Sequence, residues 1–241
     1  MASAIDEELI NVVWTALGTV HASLAISTPL ARRYPAEVVP FAAVKELTPE
    51  ALREFAALMA PDEKTHIAWS ESMGSHLPGC SELEVVKEVI ALQMAPSKAA
   101  HIEGEPVSEA IPQIEPLTAA HGPEMVALTD VAFPGFFRSH TYRMGNYWGI
   151  RVNGELISMA GERLALPGIR EISAVCTHPR HTGHGYAARL IRHLLNQHAE
   201  ADIASFLHVS DNNARAIALY EHLGFRKIGA TRVALIRKAD R

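Results

Sequence analysis

The sequence predicts an α/β (α+β) chain. Its second half reads as a mixed, mostly antiparallel central sheet flanked by helices, and a separate α/β region precedes it. Three observations carry this prediction. Strand-like runs at 147–152 and 156–160 flank Asn153-Gly154, and Asn-Gly between such runs marks a two-residue turn with positive φ at both positions. A third run, 169–177, passes through a turn bearing Gly183 and Gly185 into a helical pattern from about 185 to 198, with Leu190, Ile191, Leu194 and Leu195 on one face. A strand (203–209), a helix (214–223) stopped by Gly224 and a final strand pair (225–236) then complete a β-α-β-α-β order.

The first half is read in the same way. Residues 7–25 form a helical pattern, with Ile10, Val13, Trp14, Leu17 and Leu24 sharing roughly one face. Residues 37–44 suit a strand. Thr48-Pro49-Glu50 opens a second helix, with Thr48 as N-cap and Pro49 at the first helical position. Residues 85–94 are apolar and β-branched, as in a buried strand. A boundary is expected between Ser97 and Pro112, where Pro, Ser, Glu and Gly cluster. It divides an N-terminal α/β region (1–108) without a chemical motif from a second domain (109–241). In the latter, 114–117 reads as a strand, 123–131 as a helix, and Pro167-Gly168 as a turn.

Composition narrows the function classes. With 48% hydrophobic and 20% charged residues the chain is an ordinary globular sequence. Its net charge of −5 gives no reason to expect nucleic acid or an anionic membrane as partner. The two cysteines, Cys80 and Cys176, form no CxxC pair and fit a reducing, cytoplasmic setting. The acidic N-terminus is unlike a secretory signal, and no apolar run is long enough to span a bilayer.

The glycine-bearing turn is the strongest chemical signal. Free backbone N–H groups at a helix start, with the helix dipole, favour a phosphate. Gly183 and Gly185 clear side chains from its approach, although a tight turn alone would also use them. The GxxxxGK[ST] phosphate loop is absent, and the three-glycine dinucleotide fingerprint would place its last glycine at Ala188.

With Pro179 three residues ahead, Thr182-x-x-Gly185-x-Ala187 resembles the [Gln/Arg]-x-x-Gly-x-[Gly/Ala] loop of the GNAT superfamily of acyl-CoA N-acyltransferases. Arg180-x-x-Gly183-x-Gly185 also matches formally, but it shifts the proline and the strand. Thr182 departs from the usual Gln or Arg. The segment from Asn213 to Phe225 (Asn-x-x-Ala216-x-x-Leu-Tyr220-x-x-x-Gly-Phe) is similar to a second family block. The resemblance covers about residues 112–238; before that it fades to a faint echo, that of a degenerate copy of the same fold.

The resemblance implies acetyl-CoA, or another acyl-CoA, as co-substrate and an amine as acceptor, with no metal. Val175, Cys176 and Thr177 would pair with the pantetheine arm. Backbone amides of Gly183, His184, Gly185, Tyr186, Ala187 and Ala188 would hold the pyrophosphate, Thr182 would head this cofactor-binding loop, and Asn213 and Ala216 would contact the cofactor arm. Tyr220 would protonate the departing thiolate. Glu171, 11 residues before Thr182, occupies the offset at which some members place the general base. His178 and His208 are rival bases. Simple alternation puts Glu171, Ser173 and Thr177 on one face and Ile172, Ala174 and Cys176 on the other, suggesting a water-filled cleft beside Glu171.

Each residue also has a plainer reading. Tyr220 could be a core aromatic and Glu171 a structural ion pair. Cys176 reads as packing rather than an acyl carrier. His178, His181 and His184 recur every three residues, but Pro179 and the glycines break a helical ligand face. Phe133, Phe136, Phe137, Tyr142, Tyr147 and Trp148 could wall an acceptor pocket or pack the core. The acceptor is expected to be a primary amine of a small molecule, the alternatives being a protein or peptide N-acetyltransferase and a non-catalytic acyl-CoA-binding regulator. A homodimer is allowed.

Overall fold

The structure is a computed structural model and describes residues 8–97 and 112–239. Most of the boundary expected between Ser97 and Pro112 lies outside the described residues. In chain order the elements are α1 (Val12–Gly18), β1 (Ile26–Ser27), β2 (Ala31–Arg33), β3 (Phe41–Val44), α2 (Pro49–Ala57), β4 (Lys64–Ser70), β5 (Leu83–Pro96), β6 (Ile114–Leu117), α3 (Gly122–Ala132), β7 (Tyr147–Val152), β8 (Glu155–Leu166), β9 (Ile169–Thr177), α4 (Tyr186–Glu200), β10 (Ala204–Ser210), α5 (Ala214–His222) and β11 (Phe225–Lys238). Two compact units emerge. One contains described residues 8–94, 208–214 and 227–239; the other contains 95–97, 112–207 and 215–226. No helix among the described residues is long and apolar enough to cross a membrane.

In the first unit, β1, β2 and β3 form an antiparallel ladder. β3 and β4 are parallel, with Phe41 opposite His66, and α2 makes the crossover between them. β11 then runs antiparallel to β4, from Thr231 opposite Ser70 to Arg237 opposite Lys64. Leu52 and Phe55 of α2 pack with Val44, Ile67, Trp69 and Ile236 in one core. The start of α2 follows its sequence: Thr48 accepts a hydrogen bond from the Ala51 N–H at 3.2 Å, and Pro49 sits in the first turn.

Three sequence expectations change in this unit. The helix expected over 7–25 shortens to α1 and a separate 3-10 turn at Ala22–Leu24, because Gly18, Thr19 and Val20 are weak helix formers. His21 beyond them is buried against the Tyr34 hydroxyl at 2.8 Å. The segment 85–94 is a strand, but its first half is not buried: Val85 and Val86, pointing to opposite faces, are 48% and 43% exposed. The final strand pair is one 14-residue strand, β11. Gly229 lies within it without a turn, where a Cβ would come within 2.6 Å of the Gln93 side chain.

In the second unit, β6, β7, β8 and β9 are antiparallel neighbours, and β10 joins β9 in parallel. Both expected turns form. Asn153 (φ 52°) and Gly154 (φ 83°) link Val152 to Glu155, and Pro167-Gly168 links Leu166 to Ile169. Met125 and Leu128 of α3 pack with Phe137, Tyr147, Met159 and Cys176 on one face of the sheet. The neighbouring β8 residue Glu162 bonds to His198 of α4, so α4 covers the opposite face. Gly161 faces Tyr147, and a Cβ there would sit 2.3 Å from its ring. Gly161→Ala is therefore expected to destabilise the fold by about 1–3 kcal/mol, measured by urea denaturation.

Candidate functional site

The site is built on β9, from the residues that pair with β10 onward. Their described pairing comprises Ala204 with Ile169, Ser205 with Arg170 and Phe206 with Glu171. β9 continues to Thr177, so the edge that faced β10 offers main-chain groups to an extended ligand. Within this stretch lies a β-bulge. Cys176 pairs with Met159 and Ser173 with Gly161, so Ala174 and Val175 together oppose Ala160. Ala174 takes φ 52°, a left-handed conformation costly for a residue with a Cβ.

The bulge corrects the expected faces. Thr177 lies opposite Ser158 and shares the face of Ile172; Cys176 lies opposite Met159 and shares the face of Ser173. The polar row of Glu171, Ser173 and Thr177 is thus broken. Cys176 is buried among apolar neighbours. Burial pushes its thiol up to about 12, against a smaller opposing effect of the Met159 main chain, which suits packing rather than nucleophilic work.

The chain then turns through Pro179–His181, where His178 Nδ1 accepts from the Arg180 N–H at 3.2 Å. That contact engages one of the rival bases. Thr182 donates its hydroxyl to the Pro179 carbonyl at 3.3 Å. Gly183 (φ 85°) and Gly185 (φ 76°) both need the left-handed region, and a Cβ on either would meet nothing within 4 Å. Gly185 caps α4 without a side-chain hydrogen bond, so the first-turn amides of Tyr186, Ala187 and Ala188 have no intrahelical acceptor. His184 stacks on Tyr186, with ring centroids 5.5 Å apart. Among the described residues no group of three His, Cys, Asp or Glu could hold a metal.

Glu171 stands in the last described pair of β9 with β10 and is fully buried. Its carboxylate accepts from Arg163 Nε at 2.9 Å, from Arg163 Nη2 at 2.5 Å and from the Leu164 N–H at 3.2 Å. Both the ion pair and the burial were compatible with the residue type, but Arg163 was not singled out in the sequence. The available signal was a charge within a run that is otherwise strand-like. Tyr220 is the one buried residue of α5. Burial pushes its phenol up to about 12; Arg163 opposes the rise and Glu171 adds to it. Tyr147 is also pushed up, first by burial and then by Glu171 and Glu162, against Arg163.

The other candidates fall as follows. Asn213 is exposed just before α5, its N–H bonded to the Ser210 carbonyl at 2.9 Å; Ala216 is half-buried within α5. His208 belongs to the first unit, within 3.1 Å of Thr231 Oγ1 and 3.4 Å of Gln93 Nε2. Of the aromatics, Phe137 and Tyr147 meet edge to face in the core, Phe133 and Tyr142 pack against it, and Trp148 contacts His193 with centroids 4.3 Å apart.

A family model described as FR47-like protein matches residues 147–234. N-alpha-acetyltransferase RimI of Mycobacterium tuberculosis is 34% identical over 90 residues, 36% of this chain and 56% of that protein, so the chain spans about half the length of this curated relative. A solved structure of a GNAT-family acetyltransferase from Novosphingobium aromaticivorans is 33% identical, with TM-score 0.82, over 96% of this chain and 99% of that one. A GCN5-related N-acetyltransferase from Kribbella flavida shares the fold at 15% identity and TM-score 0.63, over 98% and 95% of the two chains. Identity of 33% along the full length of the Novosphingobium protein, on a fold with a parallel β9–β10 pair and an open glycine loop, establishes that the chain belongs to the GNAT superfamily, acyltransferases that move an acyl group from acetyl-CoA to an amine.

Proposed function

We propose that this chain transfers an acetyl or other short acyl group from acyl-CoA to a primary amine of a small molecule, by direct attack in a ternary complex. The residues fit the co-substrate. The space over Gly183 and Gly185 is open, and the α4 amides beside it suit a pyrophosphate. The β9 edge at Val175, Cys176 and Thr177 suits the amide-bearing arm. Acetyl-CoA supplies the activated thioester.

The observation favouring a small acceptor is the complete burial of the Glu171 side chain. A compact amine, or one water beside it, is what such a carboxylate can serve. In the proposed reaction the neutral amine attacks the thioester carbonyl carbon and the C–S bond breaks. The amine proton passes to Glu171, directly or through water, and the Tyr220 hydroxyl protonates the leaving sulfur. A phenol pushed up to about 12 keeps its proton until a thiolate forms.

A panel of small primary amines with acetyl-CoA, followed by release of free thiol, tests this reading. Tyr220→Phe is expected to lower kcat by roughly 10²-fold. The 34% identity to an N-alpha-acetyltransferase favours a second reading, a peptide α-amine as acceptor. Turnover with peptides and none with small amines would select that reading and overturn the first.

A further inference from the structure

We propose that Arg163 is a positioning residue of the acyl transfer, holding Glu171 oriented and ionised at the last described pair of β9 with β10. The inference rests on the proposal that Glu171 takes the amine proton.

The backbone is arranged around this pair. Glu162 pairs with Ile172, and the next pair along β8 is Ala165 with Arg170. Arg163 and Leu164 together therefore oppose Glu171 in a second bulge. The extra residue turns the Leu164 N–H from the ladder to the carboxylate, and the Arg163 side chain reaches the same group. Arg163 gives its guanidinium edge through Nε and Nη2, and Leu164 gives its N–H at 3.2 Å. A planar two-point grip fixes the carboxylate plane as well as its charge, which an ammonium cannot do. The pair is also asymmetric: the Arg163 side chain is 19% exposed while that of Glu171 is 0%. The cation thus extends from the buried acid towards solvent.

Ionisable groups of neighbouring elements surround the pair. Among them are Tyr147 of β7 and Tyr220 of α5, which feel both charges of the pair; Glu162 of β8 acts on Tyr147 as well, and Glu162 itself feels Arg170 of β9 and His198 of α4. Arg163 opposes the rise of both tyrosines, and Glu171 reinforces it. Removing Arg163 leaves a buried carboxylate uncompensated, and such a group binds a proton instead of receiving one from the substrate.

The test compares R163Q, R163K, E171Q and the R163Q/E171Q double variant, each checked for folding by thermal melt. Readouts are kcat, KM for acetyl-CoA, and kcat/KM from pH 5 to 9. R163Q is expected to lower kcat by up to about 10²-fold and to move the acid limb of the profile upward by about one pH unit or more. KM for acetyl-CoA should be little changed. R163K should restore part of kcat and part of the limb. In the E171Q background, R163Q should cost no further activity, because its partner is already gone. Should R163Q fail to fold, R163K and the charge-balanced double variant carry the same comparison. Wild-type kcat with an unmoved limb in the folded variants, or independent losses in the double variant, overturns the role of Arg163. Wild-type activity in E171Q instead overturns the base reading itself.

Discussion

Glu171→Gln is expected to lower kcat/KM by roughly 10²- to 10⁴-fold, the range associated with a positioned acid–base group. The amide keeps the shape of the side chain but cannot take the amine's proton. It also places an NH2 near Arg163, whose guanidinium now grips the carboxylate at 2.9 and 2.5 Å. Acetyl-CoA binding, measured by titration calorimetry, should persist, because the open glycine loop and the α4 amides are untouched. The residual rate should rise with pH as the amine sheds its proton unaided. A variant with wild-type kcat/KM at neutral pH would remove Glu171 from the mechanism.

The largest stability effect is expected from His198→Ala, about 3–5 kcal/mol, as for other broken buried pairs. That is a large part of the 5–15 kcal/mol typical of a domain. His198 is within 3.0 Å of Glu162 Oε1 and 2.8 Å of Ser205 Oγ, tying α4 to β8 and β10. The trio has the residue types of a hydrolytic triad. His198, Glu162 and Ser205 are only 2%, 6% and 9% exposed, however, so its work is structural. Asn146 adds its backbone N–H to Glu162 Oε2 at 3.0 Å. Burial alone would raise the Glu162 carboxyl. The hydrogen bonds from His198 and Asn146, with the charges of His198 and Arg170, outweigh it and hold the group below its ordinary range. The sign follows. A depressed folded value contributes stability above the unfolded pKa of about 4.3, and this is lost as pH falls through the folded value. Urea midpoints at pH 7 and in the acid range should show this loss in wild type, and a smaller one in Glu162→Gln.

The parts of the fold visible in the sequence were those with a local chemical cause. Asn153-Gly154 specifies a turn that few other pairs can make, Thr48-Pro49 starts a helix, and β9 runs over the predicted 169–177. The glycine loop falls into the same class. What escaped depends on partners distant in sequence. Ala174 gives no hint of a positive φ, so strict alternation put Thr177 and Cys176 on the wrong faces. The second hairpin strand appeared to stop at Ala160, because Gly161, Glu162 and Arg163 interrupt the apolar run. The strand continues to Leu166, where Glu162 is bonded to His198 and Arg163 is paired with Glu171. The strand pair expected over 225–236 is one strand, in which Gly229 provides room for Gln93.

The antiparallel pairing of β4 with β11 joins Ser70 to Thr231, and the Arg232–Glu71 ion pair beside it spans 161 positions. Synthesis runs in one direction. A ribosome adding about 5–20 residues per second needs roughly 8–32 s to cover that distance. Through that interval the edge of β4 destined for β11 has its main-chain donors and acceptors uncommitted, the kind of edge that recruits other chains. The unit begun first is therefore among the last to close, and its early strands need shelter during translation.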